Sequence, residues 1–323
     1  MQRRQLMGAS VALAGAWAFQ ACAADLKAPF PRLRIFIPAN AGGGWDQTGR
    51  TLGQALLASG QVAEVDYENK GGKGGVIGLA EFAQKHAKDP AALMVGGFVM
   101  VGSVALNRPA VDLSQLTPIA RLTNELPVLV VPADSRYRNL AAFTADLTAR
   151  PTQVTIAGGG AGGVDHMCAA MIARAAGADP ALLAYQPFAS GSEVLAAVTA
   201  GKVSAAVSGY GELHEGIASG RLRALGITSK RAAYGVPSMM EQGLKVELGN
   251  WRGVFAAGGL SADQAATLRN AVQRATQDAS WKDAVQRNSW QASWQTGAEF
   301  QQSLEFDQQM ARVLVHLLHL KPA

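Results

Sequence analysis

Five glycine-rich segments stand where a predicted strand ends and a predicted helix begins, and these repeated junctions limit the available folds more than any other feature. The segments are residues 40–46, 71–75, 158–163, 189–192 and 208–211. From residue 33 to residue 228, short apolar runs alternate with stretches of helical periodicity. This order predicts an α/β fold in which helices cover a mainly parallel sheet.

The length of the chain and the absence of a low-complexity linker predict two lobes joined by crossing strands. The chain has 323 residues, which suits two lobes of ordinary domain size. We predict that each lobe is a mostly parallel sheet flanked by helices, with a cleft between the lobes. Three capping-box pairs also predict successive helices near the C-terminus. The pairs are Ser261 with Gln264, Ser280 with Asp283, and Thr296 with Glu299.

The first 23 residues have the pattern of a secretory signal peptide. Arg3 and Arg4 precede an uncharged apolar stretch over residues 6–19, and small residues at 21–23 form a cleavage site. The apolar stretch is too short to span a bilayer comfortably. We therefore predict cleavage after Ala23 and export to the periplasm. Two alternatives stay open, a twin-arginine export signal and a lipid anchor on Cys22.

Net charge argues against a nucleic acid partner, and cysteine content argues against an internal disulfide. The formal net charge of the whole chain is +5, and removal of Arg3 and Arg4 lowers it by two. The remaining basic residues are not clustered, so we expect no nucleic acid partner. The exported chain keeps one cysteine, Cys168, and therefore has no internal disulfide.

The glycine-rich junctions predict a binding site for a small anion. Glycine lets the main chain approach a ligand closely. The first N–H groups of a helix have no partner within the helix and lie at the positive end of its dipole. Several converging helix starts can therefore hold an anion without a lysine or arginine. One such turn can be only a tight turn, but five at equivalent positions favour a cleft beyond the carboxyl ends of the strands.

Cofactor, metal and enzymatic chemistry receive less support from the sequence. No glycine-rich segment ends in Gly-Lys-Ser/Thr, and none fits a dinucleotide fingerprint well, so we predict no cofactor. His316 and His319 lack the further ligands that a metal site needs. Cys168 lies on an apolar helix face, which favours a core thiol over a nucleophile. A periplasmic enzyme that acts on a carboxylate through His166 or Asp165 stays as the alternative function.

Three side chains near the junctions each have two interpretations. Asp46 is a first-turn acid of a helix, an organiser of the first glycine loop, or both. Trp45 is a core aromatic residue or a hydrophobic cover over the ligand. Arg252 is a ligand contact or half of a structural ion pair, and we favour the ion pair.

Short motifs also follow one another in a specific order along almost the whole exported chain. They are Ile37-Pro38 with residues 41–46 and Arg50, residues 68–72 with Gly74, Gly75 and Gly78, residues 118–122, Gly162-Gly163 with Asp165-His166, Tyr185 with Pro187, Phe188 and Gly191, residues 220–223, Pro237 with residues 241–243, and residues 250–254. Together they resemble the substrate-binding receptors of the tripartite tricarboxylate transporter family, also called Bug-type receptors.

The resemblance implies a two-lobed fold like that of type II periplasmic binding proteins. Residues 24–125 and 252–323 would form the first lobe, and residues 126–251 the second. It implies a receptor, not an enzyme, that binds a small organic anion and delivers it to a membrane permease of one large and one small subunit. The ligand would be a di- or tricarboxylate, and the form of the first loop that carries Trp45 resembles a branch associated with citrate. We expect the receptor to be a monomer. Presentation of the ligand to a membrane sensor kinase is the alternative to delivery to a permease.

The expected ligand-binding residues come from the glycine-rich junctions of both lobes. By resemblance, main-chain N–H groups of residues 41–44 and 160–163 would hold one carboxylate, partly through water. The set comprises Asn40, Ala41, Gly42, Gly43, Gly44, Trp45, Asp46, Gly160, Ala161, Gly162, Gly163, Asp165, His166, Ser190, Gly191, Ser208, Gly209 and Tyr210. We expect Gly43→Val and Gly162→Val to weaken binding more than stability, because each side chain would enter the ligand's space.

Overall fold

The computed structural model describes residues 28–188, 190–317 and 319–320. This part of the chain forms two open sheets, each flanked by helices. The predicted signal peptide, residues 1–23, lies outside these residues. Within them, no helix is long and apolar enough to cross a membrane.

Strands and helices alternate along most of the described chain. The strands are β1 (Leu33–Ile37), β2 (Val65–Asn69), β3 (Ala92–Gly97), β4 (Thr117–Glu125), β5 (Pro127–Pro132), β6 (Ile156–Gly158), β7 (Tyr185–Pro187), β8 (Ala205–Gly209), β9 (Leu222–Ile227), β10 (Asn250–Ala256) and β11 (Gln291–Thr296). The helices are α1 (Gly44–Ala58), α2 (Val76–Lys85), α3 (Phe98–Asn107), α4 (Leu140–Ala149), α5 (Val164–Ala175), α6 (Gly191–Thr199), α7 (Tyr210–Ala218), α8 (Ala262–Gln277), α9 (Ala279–Arg287) and α10 (Gly297–Leu317).

The first sheet has six strands in the order β11-β4-β10-β3-β1-β2. β1 runs parallel to its neighbours β2 and β3. β10 lies between β3 and β4 and runs antiparallel to both, and β11 runs antiparallel to β4. The sheet therefore takes strands from both ends of the described chain.

The second sheet has five strands in the order β7-β6-β8-β5-β9, all from the middle of the chain. β6 is parallel to β7 and β8, whereas β5 is antiparallel to β8 and β9. The two-lobed α/β class is thus confirmed. The division of residues between the lobes that we derived from the resemblance stays a prediction.

The expectation of mostly parallel sheets was wrong, because both sheets are mixed. The cause lies in the crossings between lobes. The chain enters the second sheet through β5, which runs against its two neighbours, and it returns through β10, which runs against β3 and β4. A repeated strand–helix order does not reveal a strand that returns from another lobe in the opposite direction.

Burial along the strands agrees with their places in the sheets. All six residues of β3 are buried, and so are all residues of β10 except its first. In contrast, every residue of the edge strand β2 is half-buried. Val254 and Phe255 of β10 are fully buried between the flanking helices, so this returning strand contributes strongly to the core of the first lobe.

The capping pairs near the C-terminus were predicted correctly only at α8. There the Ser261 hydroxyl accepts the N–H of Gln264, and the Gln264 amide oxygen accepts the N–H of Ser261. Helix α9 begins earlier than predicted, because Asp278 caps it through the N–H of Ser280. The hydroxyl of Thr296 instead donates to a carbonyl of β4, that of Ile119.

We expect Ser261→Ala to lower the free energy of unfolding by about 1 kcal/mol, because the N–H of Gln264 loses its acceptor. Chemical denaturation measures this change. Ser303→Ala removes the same atoms from the interior of α10, where no cap is lost, and should change stability by less. Equal effects of the two substitutions would contradict the capping role of Ser261.

Candidate functional site

A cleft of about 650 Å³ lies between the two sheets and is the candidate binding site. Its walls are built by the carboxyl ends of strands and by the helix starts that follow them. Each of the five glycine-rich segments contributes residues to the lining: residues 42–45, 74, 159–161 with 163, 190–192, and 208–209 with 211. The structure therefore brings together segments that lie far apart in the sequence.

Most of the predicted site residues line this cleft, and a minority do not. Those that line it are Gly42, Gly43, Gly44, Trp45, Gly160, Ala161, Gly163, Asp165, Ser190, Gly191, Ser208 and Gly209. Those outside the lining are Asn40, Ala41, Asp46, Gly162, His166 and Tyr210. Several of the second group hold the loops in place instead.

The first glycine loop is organised by Asp46, which is buried beneath it. Its carboxylate accepts the N–H of Gly42 at 2.9 Å, the Nδ2 of Asn69 at 2.9 Å and the Nε of Arg50 at 3.0 Å. Burial alone would raise the pKa of Asp46, but these hydrogen bonds together hold it below its usual value. Asp46 therefore acts both as a first-turn acid and as the organiser of the loop.

The glycine loop before α5 repeats this arrangement with a different side chain. The N–H of Gly162 donates to Nδ1 of His166 at 3.1 Å, just as Gly42 donates to Asp46. Both donating glycines have a left-handed backbone, with φ of 86° at Gly42 and 78° at Gly162. The residue that follows each is an extended N-cap glycine. Each loop thus closes on a side chain four residues later and leaves the helix start uncovered.

The helix starts themselves supply the donors of the site. Among the described residues, the N–H groups of Gly44 and Trp45, and those of Val164 and Asp165, form no hydrogen bond. These are first-turn groups, which have no partner within a helix. Two helix dipoles, one from each lobe, therefore have their positive ends at the cleft.

Trp45 belongs to the core and also lines the cleft. Its side chain is 8% exposed and lies in the larger hydrophobic cluster, which takes residues from both sheets. Gly75, from the second glycine loop, leaves room for its ring: an added Cβ would come within 2.7 Å of it. The core interpretation of Trp45 is thus supported by its packing.

The starts of α6 and α7 are less open than those of α1 and α5. Ser190 caps α6 by accepting the N–H of Glu193, and its hydroxyl also contacts that of Ser192. The carboxylate of Glu212 packs directly against the bare Cα of Gly191. Tyr210 turns away from the cleft and stacks on Tyr234, with ring centroids 4.3 Å apart.

A chain of three side-chain oxygens forms one wall of the cleft. The Ser208 hydroxyl lies 3.2 Å from Asp165 and 2.5 Å from Glu212. Burial, followed by the charge of Glu212, raises the pKa of Asp165 to about 7. One hydroxyl hydrogen cannot serve two carboxylates at once, so a proton on one of the acids satisfies the chain.

A buried ion pair forms the floor of the cleft, and the ion-pair interpretation of Arg252 agrees with it. Nη2 of Arg252 donates to Oε2 of Glu125 at 2.6 Å, and both side chains are almost fully buried. Glu125 ends β4, just before the chain crosses to β5, and its carboxylate also lies beside Gly211 at the start of α7. Burial, as the largest effect, raises the pKa of Glu125. The pair therefore lies where the two lobes join.

Several residues that line the cleft were missed by the sequence analysis. The polar and aromatic ones are Gln47, Ser103, Glu125, Phe188, Ser192, Glu212, His214, Glu215, Asn250, Arg287, Asn288 and Trp290. Glu212 carried a usable signal, because it stands one helical turn after Ser208 at a glycine-rich junction. Gln47, Ser192, His214 and Glu215 also stand in or just after glycine-rich junctions. Nothing local in the sequence distinguishes the remaining residues.

Of the two residues proposed for an enzyme, Asp165 lines the cleft and His166 does not. His166 lies outside the cleft lining, stacks on Tyr185 at 4.2 Å between ring centroids, and uses Nδ1 as an acceptor. Burial lowers the pKa of His166 to about 4, so it is neutral near pH 7. Cys168 is fully buried and burial raises its pKa, in agreement with a core thiol.

Comparison with known proteins identifies the same receptor family that the ordered sequence motifs resemble. Residues 54–314 match the family model described as the tripartite tricarboxylate transporter family receptor. Protein BugT of Bordetella pertussis is 29% identical over 258 residues, which cover 77% of each chain.

Solved structures with this fold include two that hold dicarboxylates. MatC from Rhodopseudomonas palustris, with bound malate, has a TM-score of 0.73 and 21% identity, and the match covers 88% of this chain and 99% of that one. A second R. palustris protein, solved with adipate, has a TM-score of 0.78 and 16% identity over 90% and 99% of the two chains. At these identities the solved structures establish the fold alone.

We expect Asp165→Asn to change the pH dependence of stability. The folded protein holds a proton on Asp165 up to about pH 7, whereas the unfolded chain releases it near pH 4. Stability therefore falls as pH rises through this window. Asparagine cannot ionise but still accepts the N–H of Gly159, so the variant should gain on the order of 1–4 kcal/mol relative to wild type between pH 4 and 8.

Urea unfolding at several pH values measures this difference. Glu212→Gln serves as the second variant, because it removes a charge that raises the pKa of Asp165. In that variant, the pH range over which stability falls should move to lower pH. A stability difference between Asp165→Asn and wild type that does not vary with pH would contradict the protonated carboxyl.

Proposed function

The chain belongs to the receptor family of the tripartite tricarboxylate transporters, and from this premise we propose that it captures a small organic anion between its two lobes. The ligand is a di- or tricarboxylate, with citrate as one candidate. After capture, the receptor delivers the ligand to a membrane permease of the same transporter type.

One observation carries this proposal: two helix starts of matching geometry, from different lobes, face one cleft. The N–H groups at the starts of α1 and α5 have no acceptor among the described residues. A carboxylate placed between them would accept hydrogen bonds from both lobes and would lie at two positive dipole ends. Closure of the lobes around it would then be favoured, since both contribute to one ligand.

The ligand contacts that we propose follow the lining of the cleft. Gly43, Gly44 and Trp45 would contact the carboxylate from the first lobe, and residues 160–163 from the second. Ser208 and Ser190 would face the rest of the ligand. Asp46 and His166, which we first placed among the ligand contacts, would act by holding the two loops.

The class of ligand is supported by relatives and by the chemistry of the donors. Main-chain N–H groups recognise a carboxylate without fixing the remainder of the molecule, so the family can vary its ligands. Related structures hold malate and adipate, both dicarboxylates. A cleft of about 650 Å³ also accommodates a larger tricarboxylate, because small-molecule sites range from about 300 to 1,000 Å³.

The proposed location is the periplasm, after cleavage behind Ala23. A receptor that meets its ligand outside the cytoplasmic membrane needs export, and the N-terminal pattern of Arg3-Arg4 followed by an apolar stretch provides a signal for it. The proposed receptor acts as a monomer and converts no substrate.

Calorimetric titration with a panel of mono-, di- and tricarboxylates tests the proposal, with mass spectrometry of any ligand that co-purifies. We expect saturable binding of at least one carboxylate and recovery of that ligand unchanged. A product whose formation His166→Ala abolishes would establish the enzymatic alternative instead.

We expect Gly43→Val to weaken carboxylate binding at least about tenfold while it leaves folding intact. The φ of Gly43 is −85°, and an added Cβ would meet only the Asn40 carbonyl oxygen at 3.8 Å. The backbone therefore accepts a side chain here, and that side chain would occupy the cleft. Titration measures affinity, thermal unfolding measures stability, and Gly43→Ala should give a smaller loss.

For Gly162→Val, the structure contradicts the expectation that binding is weakened more than stability. Its φ of 78° is unfavourable for valine, and the added side chain would collide with Leu106 of α3. We now expect a loss of stability together with a loss of binding. If Gly43→Val destabilised the protein as much as Gly162→Val, the assignment of Gly43 to the ligand would be wrong.

A further inference from the structure

Arg252 has donors that the ion pair with Glu125 does not use. The guanidinium has five N–H donors, and one hydrogen bond, from Nη2 to Glu125, is formed. Nη1 is buried and has no hydrogen-bond partner among the described residues. The residue is 5% exposed and lines the cleft. A buried donor without an acceptor is costly, so this arrangement calls for an acceptor that the chain itself does not provide.

The guanidinium lies directly beside the proposed carboxylate site. An added Cβ on Gly44, the first residue of α1, would come within 2.6 Å of Nη2. Glycine at this position therefore leaves room for Arg252, and the charged group is adjacent to the free N–H groups of α1. The guanidinium also lies over the ring of Trp290, with Cζ 5.3 Å from the ring centroid. Its position is thus fixed by Glu125, Gly44 and Trp290 together.

The charges around the cleft determine where a second acidic group could be placed. The wall formed by the second sheet carries Asp165 and Glu212, and neither forms an ion pair within the described residues. A second carboxylate on that wall would meet the negative charge that remains on this pair of acids, which hold one proton between them. Arg287 also lines the cleft, but its side chain is exposed, which weakens any charge interaction with a ligand. Arg252 is the buried cation of the described lining.

We propose that Arg252 binds a second carboxylate of the ligand and thereby makes the receptor select dicarboxylates over monocarboxylates of the same length. This inference rests on the proposed function. The first carboxylate occupies the helix starts, and the second pairs with the unused N–H groups of Arg252. Glu125 keeps the guanidinium oriented before the ligand arrives. Arginine suits this task because its planar fork presents two parallel donors to a carboxylate.

The test compares matched ligand pairs in wild type and in Arg252→Gln by calorimetric titration. Adipate is paired with hexanoate, and malate with 3-hydroxybutyrate, so that each pair differs by one carboxylate. We expect Arg252→Gln to weaken the dicarboxylate at least about tenfold and the monocarboxylate less than about threefold. Arg287→Gln is the matched control, since it removes the same charge from the same cleft, and it should leave the ratio of the two affinities unchanged.

A second variant covers the case in which Arg252→Gln does not fold. Removal of one partner from a buried ion pair leaves an uncompensated charge, whereas removal of both is much less costly. The double variant Glu125→Gln/Arg252→Gln should therefore fold and show the same loss of dicarboxylate preference. Equal weakening of both members of each pair, or an unchanged preference, would overturn the role of Arg252. If wild type bound no carboxylate at all, the proposed function would fail together with this inference.

Discussion

The two candidate carboxylate-binding helix starts depend on one recurring hydrogen bond, from the N–H of a left-handed glycine to a side chain four residues later. Asp46 accepts it in the first lobe and His166 in the second. A carboxylate and a neutral imidazole are chemically different, yet both fix the loop so that the following N–H groups point outward. Because a helix cannot satisfy its own first N–H groups, a loop closed in this way leaves donors for an external acceptor.

The sequence predicted the parts of the fold and the site that arise from local chemistry. Glycine-rich junctions identified the helix starts at α1 and α5, and Ser261 with Gln264 identified the start of α8. These signals are local because capping and backbone φ depend on residues a few positions apart. The direction of the crossing strands was not predictable in this way, since β10 pairs with strands that precede it by more than a hundred residues.

The ionic part of the cleft has the same non-local origin. Glu125 and Arg252 meet across 127 positions of sequence. Arg252 stands in the motif of residues 250–254, but nothing local in the sequence identifies Glu125 as its partner. Ser208, Asp165 and Glu212 meet because β8 and β6 are neighbours in the second sheet. Sequence reasoning identified two of these three residues through their glycine-rich surroundings. The cleft thus combines donors that can be predicted locally with charges that only the tertiary fold brings together.

The position of β10 has a consequence for the order of assembly. The five strands of the second sheet come from one continuous stretch, whereas the first sheet lacks an interior strand until residues 250–256 have returned. Contacts between distant segments form slowly because of the entropy of closing a long loop. We therefore expect the second lobe to gain its structure first and to carry β10 back to an unfinished partner. When the chain is synthesised from its N-terminus, most strands of the first lobe appear before those of the second lobe, but the first lobe would become native after it.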